Sequence, residues 1–318
     1  MDCIGGVQFY SFFFRLLETC VPFFFMISGY LFYRTYQVKN VKRKLISRIH
    51  SLFIPYIIWN MFYTISMFIL VKIHLIHKIS ISNNLMEIVF QMINSEFSPL
   101  WFVKYLMIFT ITAPFLYYIL KNKKLGIVFI LCCMGLNWYF CYSGVMTLPI
   151  NVNENSLTML NYQYVYYGVG SYAALHLRNI IEERNQKRAK ICSVIFILLF
   201  IINYIMGIMQ IQNVIINHVW RLIYICVLWF VLDYLPQISI KSWMNNSFFL
   251  YCSHLIVLQC SQRVCEIILN KMSLSGGIFS VLEFIVLPII IITLLLFLAE
   301  ILKKYLPRIW NVISGGRG

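Results

Sequence analysis

Acidic residues are what this chain has least of. Only 11 Asp and Glu stand against 26 Lys and Arg in 318 residues, and charged residues of both signs make up 12%. A water-facing domain of that length carries about twice that charged fraction. No polar stretch is long enough to fold as a separate soluble domain. The ten Cys contain no C-x-x-C pair, and most lie inside apolar runs (Cys132, Cys133, Cys192, Cys226, Cys252, Cys260). They read as buried thiols that pack like small apolar side chains, not as a disulfide framework or a metal site. The N-terminus has neither a basic n-region nor a small-residue cleavage site, which argues against a signal peptide. No internal repeat is visible, so the inverted repeats of many secondary transporters are not supported.

What is present is apolar. Hydrophobic residues make up 61% of the chain, and runs longer than about 18 residues recur from end to end. The expected fold is all-α: one integral-membrane domain, 1–318, built as a polytopic transmembrane helix bundle of about nine spans. They are placed at Gln8–Tyr33, Ser51–Val71, Pro99–Leu120, Leu125–Tyr142, Leu157–Leu177, Ile191–Gln210, Ile215–Leu235, Ser247–Leu269 and Ile278–Leu302. At a rise of about 1.5 Å per residue, each can cross a hydrocarbon core about 30 Å thick.

Lys and Arg set the orientation. Nineteen of the 26 fall in one set of loops, three in the opposite set (Lys72, Lys78, Lys271), and four inside spans. By the positive-inside rule the basic loops and the C-terminus are cytoplasmic and the N-terminus is outside. This one-sided placement also disposes of a nucleic-acid reading of the net charge of +15. The densest stretch follows the first span, with six cations in the fifteen residues from Arg34 to Arg48. A cluster beside a span is a topology signal that also touches anionic lipid. This one exceeds what orientation needs, so it can also cradle a polyanion such as the phosphates of a nucleotide-bearing cofactor.

Ionisable groups inside spans are costly and are either paired or functional. Arg15 and Glu18 stand three apart, as do Arg263 and Glu266, and both spacings suit a local ion pair. His218 and Arg221 share a helix face, and Lys104 can snorkel to the surface. Asp233 and Glu300 lie near cytoplasmic ends, where they can face water. His254 lies about 12 Å along its helix from Asn246. It is either a base or ligand-binding group, or a histidine bonded to a neighbouring helix. His74 and His77, in the long outer loop, are a weak metal signal.

Four stretches together resemble the acyltransferase 3 family of bacterial membrane O-acyltransferases. Val21-Pro-Phe-Phe-Phe-Met-Ile-Ser28-Gly29-Tyr-Leu is similar to v-P-x-F-F-x-x-S-G-[FY]. Lys44-Leu-Ile-Ser-Arg48-Ile-His-Ser-Leu-Phe-Ile-Pro55-Tyr56 is similar to R-x-x-R-L-x-x-P, with two residues' latitude in spacing. Leu100-Trp101-Phe102-Val-Lys104-Tyr-Leu resembles h-L-W-F-L-x-x-L, and Tyr251-Cys-Ser-His254 resembles a late Y-x-x-H. The tail Ile313-Ser-Gly315-Gly316-Arg317-Gly318 also looks like endings in some members.

The resemblance implies a ten-helix core that moves an acyl group, usually acetyl from acetyl-CoA, to a hydroxyl. The acceptor is an extracytoplasmic glycan, another cell-envelope molecule or a small molecule. It implies a bacterial plasma-membrane protein whose partners are lipid, acyl-CoA and the acceptor, with no metal and no nucleic acid. Arg43, Lys44 and Arg48 are expected to bind the cofactor, His254 to act as the catalytic base, and Ser28, Trp101 and Tyr251 to line the substrate path. The family's first helix carries an R-x10-H motif that has no match here, so the sequence is expected to begin one helix late. The alternative is a non-catalytic transporter or glycan-export scaffold.

Overall fold

The computed structural model describes residues 17–73, 84–143, 156–209, 213–236, 239, 241–271 and 277–317, and every regular element among them is a helix. The start of the first expected span, Arg15, His74, His77 and the Asn-rich loop around Glu154 lie outside the described residues. In chain order the helices are α1 (Cys20–Arg34), α2 (Val41–Arg48), α3 (Ile54–Lys72), α4 (Leu85–Asn94), α5 (Trp101–Leu120), α6 (Lys123–Ser143) and α7 (Ser156–His176). There follow α8 (Arg178–Glu182), α9 (Gln186–Ile208), α10 (Val214–Val231), α11 (Ser247–Lys271), α12 (Gly277–Tyr305) and α13 (Pro307–Ile313).

Six helical segments among the described residues are long and apolar enough to cross a membrane: Val38–Lys72, Trp101–Leu120, Lys123–Tyr142, Gln186–Gly207, Val214–Tyr234 and Phe284–Tyr305. The other three of the nine expected spans fall on α1, α7 and α11. The described part of α1 is only 15 residues long, and α11 carries Gln259, Gln262, Arg263 and Glu266 in its second half. The apolar residues do not keep to one face. Ile65, Ile111, Phe115, Leu131, Ile197 and Phe297 are all exposed, as expected where the surrounding solvent is hydrocarbon.

The chain forms two compact units. One is drawn from Lys42–Thr110 and Ser239–Gly318, the other from Tyr10–Val41 and Ile111–Ile238. In the first, Tyr56, Trp59, Tyr63 and Met67 recur at helical spacing on α3 and are buried with Leu100, Val103, Phe249, Cys252, Ile291 and Leu295. The Tyr63 hydroxyl donates to the Cys252 carbonyl at 2.9 Å, and Ser98 donates to Asn60 Oδ1 at 2.6 Å. These two bonds satisfy buried polar groups between helices, as a lipid-embedded core requires.

In the second unit α1 lies against α7 at very short range. A Cβ on Gly29 would stand 2.3 Å from the Tyr167 carbonyl oxygen, and one on Gly170 would stand 1.9 Å from that of Met26. No side chain fits there, so the backbones touch directly, the usual role of small residues where membrane helices cross. Gly29 is therefore part of a helix crossing.

Candidate functional site

The first unit carries a cationic end, and a proline shapes it. Pro55 has no N–H and cannot donate to the Ser51 carbonyl four residues back. The ladder widens there into a π turn over Ile49–Phe53, a device often found at functional sites. Before that turn lies α2, with Arg43 and Arg48 exposed and Lys44 half-buried.

The C-terminal tail docks onto the same turn. Helix α13 ends at Ile313 in a Schellman arrangement, with Gly316 N–H donating to the Asn311 carbonyl at 2.8 Å and Gly315 N–H to that of Val312 at 3.3 Å. Both glycines have left-handed backbones, φ 66° and 72°, the ordinary way to close a helix. Gly315 also meets the π turn, because a Cβ there would stand 2.4 Å from the Ser51 carbonyl oxygen. Trp59 Nε1 donates to the Ile313 carbonyl at 3.0 Å. The Trp310 ring is buried 5.2 Å from that of Phe249. These contacts bring Arg317 to the start of α11, its guanidinium 4.2 Å from the Phe248 ring centroid. Burial, then the like charge of Arg48, lowers the Arg317 pKa below the ordinary guanidinium value, with Cys252 acting the other way.

The six cations between Arg34 and Arg48 are not equivalent. Arg34 belongs to the second unit and is neutralised by Glu182 at 2.7 Å, which Arg178 also holds at 3.1 Å. In the same unit Arg188 pairs with Asp233 at 3.1 Å. Among the described residues no ion pair joins Arg43, Arg48 or Arg317 to a carboxylate, and Glu300 is taken by Asn246 and Lys303. This end of the first unit is left net positive.

Further along α11 stand Tyr251 and His254. The Tyr251 hydroxyl donates to the Pro99 carbonyl just before α5, and its ring lies edge-on to Phe102 at 6.0 Å. His254 Nδ1 is 2.8 Å from the Tyr251 carbonyl oxygen. A carbonyl only accepts, so Nδ1 carries the hydrogen and Nε2 of the neutral ring keeps its lone pair. The same turn of chain is braced by Ser95, a buried non-glycine with φ 59° whose hydroxyl donates to Tyr56 at 2.8 Å.

Arg43, Lys44, Arg48, Trp101, Tyr251 and His254 all belong to the first unit; Ser28 lies on α1 in the second. Lys104 reaches the Asn94 carbonyl at 3.4 Å. The Arg263–Glu266 pair forms at 2.8 Å, as its spacing predicts. Glu18 pairs with Arg221, at 2.7 Å, its expected partner Arg15 lying outside the described residues, while Arg221 also donates to Tyr162 at 2.5 Å and the His218 ring lies 4.6 Å from that of Tyr162. The residue that motif spacing left without a role is Arg317. Its signal in the sequence was the Gly-Gly-Arg tail.

A family model described as an acyltransferase domain matches residues 4–303, nearly the whole chain. No curated protein and no solved structure matches.

Proposed function

The chain belongs to the acyltransferase 3 family, and from that premise we propose that it moves an acyl group, acetyl in the simplest case, from acyl-CoA to a hydroxyl of a cell-envelope glycan or similar acceptor. The observation that carries the donor assignment is the cationic end of the first unit, where Arg43 and Arg48 have no carboxylate partner among the described residues. Guanidinium forks suit phosphate oxygens, and acyl-CoA carries its phosphates at the end remote from the thioester. Arg43, Lys44 and Arg48 hold those phosphates at the cytoplasmic face of a bacterial plasma membrane, with the C-terminus on the same side and the N-terminus outside.

The reaction needs a base, because a sugar hydroxyl is a weak nucleophile at neutral pH. His254 is the candidate. As the acceptor oxygen attacks the thioester carbonyl, its proton passes to Nε2, while the Nδ1–H bond to Tyr251 holds the ring. Collapse of the tetrahedral intermediate breaks the C–S bond, leaving the new ester and CoA thiolate, which takes the proton from His254. Trp101 and Tyr251, tied together through Phe102 and Pro99, line the approach.

Membranes supplied with labelled acetyl-CoA test the reading. Transfer of label into the envelope glycan fraction is expected from the parent. Arg48→Gln should raise KM for acetyl-CoA about tenfold, and His254→Ala should lower kcat about a hundredfold or more. Unchanged transfer in both variants would overturn the site assignment. No label in any acceptor would favour the export-scaffold alternative.

A further inference from the structure

The docked tail has a property that packing alone does not account for. Two consecutive left-handed glycines bring Arg317 to a place where it feels the like charge of Arg48. The two arginines stand on segments that meet where Gly315 touches the Ser51 carbonyl, and like charges with no carboxylate joined to either among the described residues repel one another. In the same seam the hydroxyls of Ser51 and Ser314 and the indole N–H of Trp310 are buried with no hydrogen-bond partner. Ser314 is 2% exposed and Trp310 6%. Phe248, under the Arg317 guanidinium, lies in the first turn of α11, where the helix dipole favours negative charge.

Unsatisfied buried donors are rare and call for a partner. Ser51 and Ser314 flank the contact between the π turn and the tail, the segments that follow Arg48 and precede Arg317, so a partner that answers both the donors and the cations is anionic and rich in acceptors. We infer that Arg317, Arg48, Ser51 and Ser314 form a binding site for a terminal phosphate monoester. Two guanidinium groups match its two negative charges better than the single charge of a phosphodiester. The π turn forced by Pro55 and the Schellman end of α13 build the two walls of the site. Arg317 is thus a binding residue supplied by the tail that follows α13.

Such a phosphate has two chemical sources at a membrane surface. One is the 3′-phosphate of CoA, an assignment that rests on the acyl-CoA reading above. The other is the headgroup of a monoester phospholipid such as phosphatidic acid. Both are tested on the full chain in nanodiscs of neutral lipid. In one arm, CoA and 3′-dephospho-CoA are titrated. The parent is expected to prefer CoA about tenfold, as loss of a charge-assisted contact implies, and Arg317→Gln to bring the ratio near one. Arg48→Gln, which removes the opposing cation from a different element, should do the same, while Arg317→Lys keeps part of the preference. In the other arm, retention of phosphatidic acid over phosphatidylcholine is measured on the same variants.

A preference that depends on Arg317 in either arm supports the site and identifies its source. CoA and dephospho-CoA binding equally well, with no Arg317-dependent lipid preference, overturns the site and leaves the acyl-CoA reading standing. Failure of both CoA forms to bind, with an Arg317-dependent preference for phosphatidic acid, keeps the site and removes the acyl-CoA reading.

Discussion

Trp59 and Ile313 are 254 residues apart in sequence, yet the indole N–H of one donates to the carbonyl of the other at 3.0 Å. That bond pins the end of the chain to α3, the helix the basic segment runs into. It closes a last-turn carbonyl that α13 cannot satisfy by itself. Trp59→Phe keeps most of the ring and removes only the donor. A loss of about 1 kcal/mol is expected, read as a lower unfolding temperature in detergent and faster proteolytic release of the tail.

Gly315 and Gly316 share a left-handed backbone but differ in surroundings. A Cβ at 315 would stand 2.4 Å from the Ser51 carbonyl, whereas at 316 the nearest atom, Asn311 Oδ1, is 3.6 Å away. Alanine at 316 should cost only the left-handed conformation, about 1 kcal/mol. Alanine at 315 should additionally lift the tail from the π turn. Limited proteolysis of the two variants side by side reads the difference. Equal protection of both tails would contradict the docking.

In the second unit the Glu18–Arg221 pair closes at 2.7 Å, with Arg221 19% exposed and Glu18 41%. Removing the acid leaves a mostly buried guanidinium bonded to the Tyr162 hydroxyl. Glu18→Gln should destabilise by about 1–2 kcal/mol, less than a fully buried pair would lose because Glu18 is half in contact with solvent. Thermal unfolding of Glu18→Gln against Arg263→Gln, whose pair is local and exposed, checks it, and the second change should be close to silent.

Glu182 gives a pH dependence. Desolvation raises its pKa, but hydrogen bonds from Arg178 and Tyr30 and the charges of Arg178 and Arg34 outweigh it, so the carboxyl lies below its ordinary 4.5. A depressed carboxylate stabilises the fold above its unfolded pKa, and that contribution disappears as pH falls through the folded value. The parent should therefore lose unfolding temperature more steeply than Glu182→Gln between about pH 5 and pH 3. Parallel curves would show that the ion pairs to Arg34 and Arg178 carry no stability.

The features legible in the sequence are the local ones. Apolar runs give helices, and the Arg263–Glu266 spacing gives an ion pair one turn apart. Four of the cations after the first span, Lys42, Arg43, Lys44 and Arg48, fall together on α2. What spacing cannot give is the partner across the fold. Glu18 pairs with Arg221, 203 residues on. Of the six cations from Arg34 to Arg48, the structure removes Arg34 by pairing it with Glu182. The tail that carries Arg317 meets the turn after Arg48 only because a glycine lets the backbones touch at Ser51. Each of these depends on contacts far apart in sequence.

The central claim is that the cationic end of the first unit receives acyl-CoA. Photo-crosslinking with a CoA carrying an azido group on the adenine tests it most directly, with the labelled peptides mapped by mass spectrometry. The account predicts label in the segment from Val41 to Ser51 or in the tail from Asn311 to Arg317, competed away by unlabelled CoA. Label confined to the second unit, or unaffected by excess CoA, would contradict it.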